Sequence, residues 1–123
     1  MKIRVVLERR GRIIAEPDPV RVLVGEPIEW EFVTDISNEP RIAWTVYFQA
    51  GSPFRGLPRS LAADSIQLRR PQPAGRILQA THVATTTPTV AAQPGDYKYS
   101  VRATSTLFGS VLADDDPHLL VYL

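Results

Sequence analysis

The sequence predicts an all-β protein, folded as an antiparallel sandwich of about eight short strands. Valine, isoleucine and threonine number 12, 8 and 9 among its 123 residues, and these β-branched side chains favour a pleated sheet over a helix. Eleven prolines divide the chain into short pieces. Several pieces alternate apolar and polar residues with a period of two, and none keeps a helical period. Short strands separated by Pro and Gly turns are typical of a Greek-key β-sandwich.

The first half of the chain holds the clearest strands. They are predicted at residues 2–7, 12–16, 20–24, 28–34 and 41–48. Gly25 and Pro27 mark a turn before the fourth strand. In the fourth and fifth strands, Trp30 and Trp44 alternate with polar neighbours. Together with Phe32, Phe48 and the later tyrosines they are expected to fill the core, because aromatic side chains contribute much of a core's buried area.

The second half is less regular. Residues 97–104 alternate as a strand and place Tyr97 and Tyr99 on one face, and residues 118–123 form a closing strand that is apolar on both faces. Between residues 51 and 80 only 65–68 and the start of 76–84 resemble strands, and 61–63 is predicted as one helical turn. Tyr47 and Tyr122 are expected to face outward.

Length and composition limit the class of protein. A chain of this size is expected to form one domain over residues 1–123. Its 14 basic and 13 acidic residues leave a net charge of +1, and it has no cysteine. Disulfides, thiolate nucleophiles and thiolate metal sites are therefore excluded. The N-terminus carries charges too closely spaced for a signal peptide, and no stretch is apolar enough for a membrane span, so a cytoplasmic location is expected.

Two segments carry a family resemblance. Residues 22–32 read VLVGEPIEWEF and residues 94–101 read PGDYKYSV. With residues 40–48 they resemble the cupredoxins, the Greek-key sandwiches of the small blue-copper proteins, over roughly a third of the chain. A GDYxY sequence before a late strand also occurs in immunoglobulin-like sandwiches, which stay open as the alternative fold.

The resemblance implies a fold without its metal. The positions that match the family's two histidines, cysteine and methionine are Arg41, Thr104, Val101 and a position near Gly109. None of these side chains can bind copper, because a blue-copper site needs a thiolate and two imidazoles. We therefore expect no cofactor and no metal, and we expect the protein not to be an enzyme.

A binding or assembly module that acts through protein–protein contacts is the function that this pattern favours. The resemblance places the contact surface at the former copper end, with Arg41, Thr104, Leu107 and Phe108. Arginines of the middle segment are expected to flank it, and the partner is another protein or a second copy of the chain. These arginines are Arg55, Arg59, Arg69 and Arg70.

Two alternatives stay open. Asp114, Asp115, Asp116 and His118 could hold a divalent cation for hydrolysis or isomerisation, because carboxylates are the ligands of hard cations. A solvated loop is the simpler interpretation of this run. The segment from Arg55 to Arg76 could bind phosphate or nucleic acid.

Nucleic-acid binding has less support, because the segment of residues 51–80 has only one aromatic residue, Phe54, for stacking on bases. Its arginines could instead pair with acidic residues elsewhere on the surface. The candidates are Glu26, Glu29, Glu31 and Glu39.

Overall fold

The computed structural model describes residues 1–54, 59–70, 72–74 and 77–123. Within these residues every regular element is a β-strand. The strands are β1 (Lys2–Glu8), β2 (Arg12–Glu16), β3 (Val20–Leu23), β4 (Pro27–Thr34), β5 (Arg41–Phe48), β6 (Ser60–Ile66), β7 (Gln72–Ala74), β8 (Ile77–Ala80), β9 (His82–Thr85), β10 (Thr89–Val90), β11 (Gly95–Ser105), β12 (Val111–Asp115) and β13 (His118–Tyr122).

The first sheet has the strand order β10–β4–β1–β2, and β9 pairs with β4 beyond the stretch that β10 occupies. Strands β1 and β2 form an antiparallel hairpin. Strands β1 and β4 are parallel, with Lys2 opposite Glu29 and Leu7 opposite Thr34. Parallel neighbours need a crossover connection. After β2 the chain therefore crosses to β3 in the second sheet before β4 returns to the first.

The second sheet has the order β3–β13–β11–β5–β6, with β12 also paired to β11. Strands β11 and β5 are antiparallel over seven residue pairs, from Tyr99 opposite Phe48 to Ser105 opposite Ile42. Strand β13 returns the C-terminus to the sheet, antiparallel to β11 and parallel to β3. Strands β7 and β8 form a separate two-stranded ribbon.

The core lies between the two sheets and is filled by the inward residues of the alternating strands. Trp30, Phe32, Trp44, Phe48 and Tyr99 are each at most 1% exposed. The predicted core aromatics are confirmed except for Tyr97, which is only half-buried. Tyr47 and Tyr122 point outward as expected, at 39% and 47% exposure.

The predicted Greek-key β-sandwich is confirmed, but several details of the prediction are wrong. The sandwich is not wholly antiparallel, because β1 pairs with β4 and β13 with β3 in parallel. The short strands β7 and β10 were not predicted. Residues 61–63 form part of β6 rather than a helical turn, because their backbone pairs with residues 44–46 of β5. The sequence pattern also missed β12, a strand with three exposed residues that pairs with the end of β11. The described residues contain no helix that could cross a membrane.

Candidate functional site

The turn between β11 and β12 presents two adjacent apolar side chains. Leu107 and Phe108 are 59% and 74% exposed. The turn is closed by its own backbone: the Ser105 amide donates to the Ser110 carbonyl at 2.8 Å, and the Gly109 amide donates to the Ser105 carbonyl at 2.8 Å. Gly109 has φ +68°, a conformation that L side chains rarely adopt. Phe108 is therefore exposed on a backbone that is held in place.

The starts and ends of neighbouring strands meet beside this turn. Both the amide and the hydroxyl of Thr106 donate to the Arg41 carbonyl, at 3.3 and 3.0 Å. Arg41 in turn lies opposite Ile66 of β6, which is 63% exposed. The first hairpin reaches the same end, because Arg9 forms an ion pair with Asp35 at 2.9 Å. We call the described residues 8–12, 35–41, 66–70 and 105–111 the Phe108 end.

Charge is unevenly distributed between the Phe108 end and the rest of the molecule. The Phe108 end holds six arginines and three carboxylates, a formal charge of +3, whereas the other described residues hold six cations and ten carboxylates, or −4. Arg9 is paired with Asp35. The other five arginines are exposed and form no ion pair with a described residue: Arg10, Arg12, Arg41, Arg69 and Arg70.

A buried carboxylate lies directly beneath the turn. Glu39 is 8% exposed, and its Oε2 accepts a 2.6 Å hydrogen bond from the hydroxyl of the fully buried Ser105. The same serine oxygen accepts from the Phe108 amide at 3.3 Å. Hydrogen bonds to a carboxylate are stronger than those between neutral groups. Glu39 therefore anchors the turn that carries Phe108.

A buried histidine fixes Glu39 from the other side. His82 is fully buried, and its Nε2 lies 2.7 Å from the Glu39 carbonyl. Its Nδ1 lies 2.8 Å from the Ser65 hydroxyl, which also receives the Trp44 indole N–H at 2.9 Å. His82 on β9 thus joins the first sheet to β5, β6 and the loop before β5. No local sequence pattern indicates the burial of His82 or its partners.

The hydrogen-bond partners determine which nitrogen of His82 carries the proton. A carbonyl only accepts, so Nε2 must donate to the Glu39 oxygen. An indole only donates, so the Ser65 oxygen accepts from Trp44 and its own hydrogen is available for Nδ1. The ring is therefore the neutral Nε2–H tautomer. No buried side-chain nitrogen or oxygen among the described residues is left without a partner.

Burial lowers the pKa of His82 below its ordinary value of 6.5, because the protein interior disfavours the charged ring. This effect outweighs the hydrogen bonds to Glu39 and Ser65 and the attraction of the Glu39 carboxylate, which raise the pKa. The unfolded chain thus binds this proton at a higher pH than the folded chain does. Folding stability consequently falls as the pH drops through 6.5, and levels off once both forms are protonated.

The Asp114–His118 run does not form a cation site. Asp114 lies 3.9 Å from the Arg102 guanidinium, and Asp116 accepts a 2.9 Å hydrogen bond from Ser100. His118 instead lies 3.4 Å from Asp96. No group of three His, Asp or Glu residues that could hold a metal ion occurs within the described part of the chain.

The middle-segment arginines that the structure describes do not form one patch. Arg59 precedes β6 at the Phe48 end of β5, whereas Arg69 and Arg70 follow β6 at the Arg41 end. The strand between them is seven residues long, which corresponds to roughly 20 Å. Arg55 and Arg76 lie outside the described residues.

The acidic partners expected for these arginines are engaged elsewhere. Glu26 pairs with the N-terminal amine. Lys2 pairs with Glu29 and Glu31, and Arg4 pairs with Glu31. Glu39 is bound to Ser105. The expectation fails because the parallel pairing of β1 with β4 places cations of β1 directly beside the glutamates of β4.

The positions that match the copper ligands do not converge. Arg41 lies level with the Ser105–Thr106 backbone, whereas Val101 is fully buried opposite Val46, five residues along β5. That separation is roughly 16 Å. Thr104 is half-buried opposite Ala43. Neither the distances nor the donor atoms at these positions fit a blue-copper ion.

The comparisons with known proteins concern the fold. Auracyanin B is similar over 100% of this chain and 88% of its own, at 13% identity and a TM-score of 0.48. Auracyanin A, a "blue" copper protein from Chloroflexus aurantiacus, is similar over 98% of both chains at 12% identity and a TM-score of 0.48. Reduced rusticyanin matches 98% of this chain and 78% of its own, at 11% identity and a TM-score of 0.40.

The arrangement of strands in this β-sandwich is similar to that of these proteins. These similarities describe the arrangement of strands and carry no information on what this chain binds. No protein-family model matches the sequence, and no curated protein matches it significantly.

Proposed function

We propose that this cupredoxin-like chain is a non-catalytic binding module that contacts another protein through its Phe108 end. The observation that supports this most strongly is the exposure of Leu107 and Phe108 on a turn whose backbone is fixed by Ser105 and Gly109. An apolar side chain that is already held in its bound position loses little conformational entropy on binding. Exposed aromatic residues in such positions are frequent centres of protein interfaces.

The charges around the turn indicate the chemistry of the partner. Arg41 is adjacent to the turn through Thr106, and Arg69 and Arg70 follow Ile66 on the neighbouring strand. These guanidinium groups are exposed and form no ion pair with a described residue. A surface with carboxylates around an apolar pocket is complementary to this arrangement. Interface charges of this kind mainly speed association and discriminate between partners.

The substitution Phe108→Glu is expected to abolish binding. It replaces the most exposed phenylalanine with a carboxylate, which would face the acidic partner and would have to lose its hydration at the interface. A central aromatic contact typically contributes 2 kcal/mol or more, so we expect affinity to fall by about 30-fold or more. Proteins captured from a lysate are identified by mass spectrometry, and each is then purified and titrated calorimetrically against both forms.

Tyr122→Glu is the matched control. Tyr122 is another exposed aromatic, but it follows Val121, which pairs with Gly95 at the opposite end of β11. Its replacement should leave affinity unchanged. Sedimentation velocity over a range of concentrations shows whether the partner is a second copy of the chain. Partners that bind wild type and Phe108→Glu equally well, with a monomer at every concentration, would refute this surface.

A further inference from the structure

We propose that acid dismantles the Phe108 end: protonation of His82 releases the loop that carries Glu39, and that loop then releases the 105–111 turn. This inference rests on the proposed function, because the surface that it regulates is the proposed contact surface. It adds a condition under which the surface is assembled, namely neutral pH.

The first step follows from the partners of the ring. A proton added to Nδ1 points at the Ser65 oxygen, which already receives the Trp44 indole at 2.9 Å. The serine hydrogen then loses its acceptor, and a full charge lies in a fully buried position. Both changes are unfavourable in a low-dielectric interior. They are relieved when water reaches the ring.

The charged groups around His82 offer little compensation. Glu39 faces it from the loop before β5, but its carboxylate is bound to Ser105. On β6, Asp64 is adjacent to Ser65 and has an exposed side chain. Asp35, after β4, is paired with Arg9, and the Arg41 side chain at the start of β5 is exposed. Strand β9 itself carries no other titratable side chain.

The second step follows from the position of Glu39 between the two sites. Its carbonyl accepts from His82, and its carboxylate accepts from Ser105. Ser105 in turn accepts from the Phe108 amide. The turn is also attached through Thr106, whose hydroxyl donates to the carbonyl of Arg41. Arg41 follows Glu39 by two residues in the same loop and strand start. A movement of this loop therefore affects both attachments of the turn.

The test measures amide hydrogen exchange of the protein alone at pH 7.5 and pH 5.0. Rates are divided by the intrinsic rate at each pH, so that only structural protection is compared. We expect protection of the Ser105, Phe108 and Gly109 amides to fall about tenfold or more on acidification, the change that loss of a strong hydrogen bond produces. The Leu119 amide in β13, far from His82, should change less. An equal fall at all sites would overturn the proposal.

Three variants identify the group responsible. His118→Gln removes the only other histidine, which is exposed, and should keep the full response. His82→Gln cannot be protonated and should lose the response. If that variant does not fold, Ser105→Ala serves instead: His82 still titrates in it, but the turn should be poorly protected at both pH values. A response that survives in either His82→Gln or Ser105→Ala would refute the coupling.

The outcome is independent of any partner. If the turn responds to acid but every partner binds Phe108→Glu as tightly as wild type, the proposed function fails and the acid response stands. Should a partner require Phe108 while the turn keeps its protection at pH 5.0, the contact surface stands and its regulation by His82 is wrong.

Discussion

Replacing Trp30 with alanine is expected to remove a large share of the folding stability of the domain. Trp30 is fully buried and contacts Phe48, Phe54 and Tyr99 edge to face, with ring centroids 6.2, 6.1 and 5.6 Å away. The cavity left at this meeting point of both sheets should cost about 3–5 kcal/mol. Native domains have only about 5–15 kcal/mol of stability in total. Urea unfolding followed by far-ultraviolet circular dichroism measures the loss without relying on tryptophan fluorescence.

Phe108→Ala is the matched control for this prediction. The same type of truncation at a side chain that is 74% exposed should change stability by no more than about 0.5 kcal/mol. A Trp30→Ala loss below about 1 kcal/mol, or equal losses in the two variants, would contradict the placement of Trp30 at the centre of the sandwich.

Ser65→Ala is expected to have the second largest effect, although it removes a single oxygen. The Ser65 hydroxyl is the partner of both the Trp44 indole and His82 Nδ1. Without it, two buried polar groups lose their hydrogen bond at once, at a cost of about 1–3 kcal/mol each. We expect a total loss of about 2–4 kcal/mol, because water entry recovers part of that cost. Chemical denaturation measures it.

Ser60→Ala on the same strand provides the comparison. Ser60 is exposed at the start of β6, and its replacement should change stability by less than about 0.5 kcal/mol. If the two alanine variants were equally stable, Ser65 would not join Trp44 to His82.

Much of the fold could be predicted from local patterns. Strand β5 alternates between the inward Ile42, Trp44 and Val46 and more exposed neighbours, so its existence, bounds and buried face followed from the sequence. The start of β6 was predicted wrongly as a helical turn because Ala62 and Ala63 carry no strong strand preference. Its conformation is determined by pairing with β5, a contact between residues distant in sequence.

The candidate site was predictable only in part. The family resemblance placed Phe108 on the contact surface, and the side chain is exposed in the structure. The network beneath it was missed because His82, Glu39 and Ser105 lie far apart along the chain and none belongs to a motif. The separation of the positions matched to the copper ligands was also not predicted, because it depends on β11 staying paired with β5 as far as Ser105. A local motif does not determine how far two strands stay paired.

The ring nitrogens of His82 provide the most direct test of the claim that a neutral histidine holds the Phe108 end together. Their nitrogen-15 chemical shifts distinguish the two neutral tautomers from the charged ring, and the His118→Gln variant leaves one histidine to assign. We predict a proton on Nε2 and none on Nδ1 at pH 7.5, with the ring still mainly neutral at pH 6.5, the ordinary pKa of the side chain. A proton on Nδ1, or a ring that is half-charged at pH 6.5, would contradict the account.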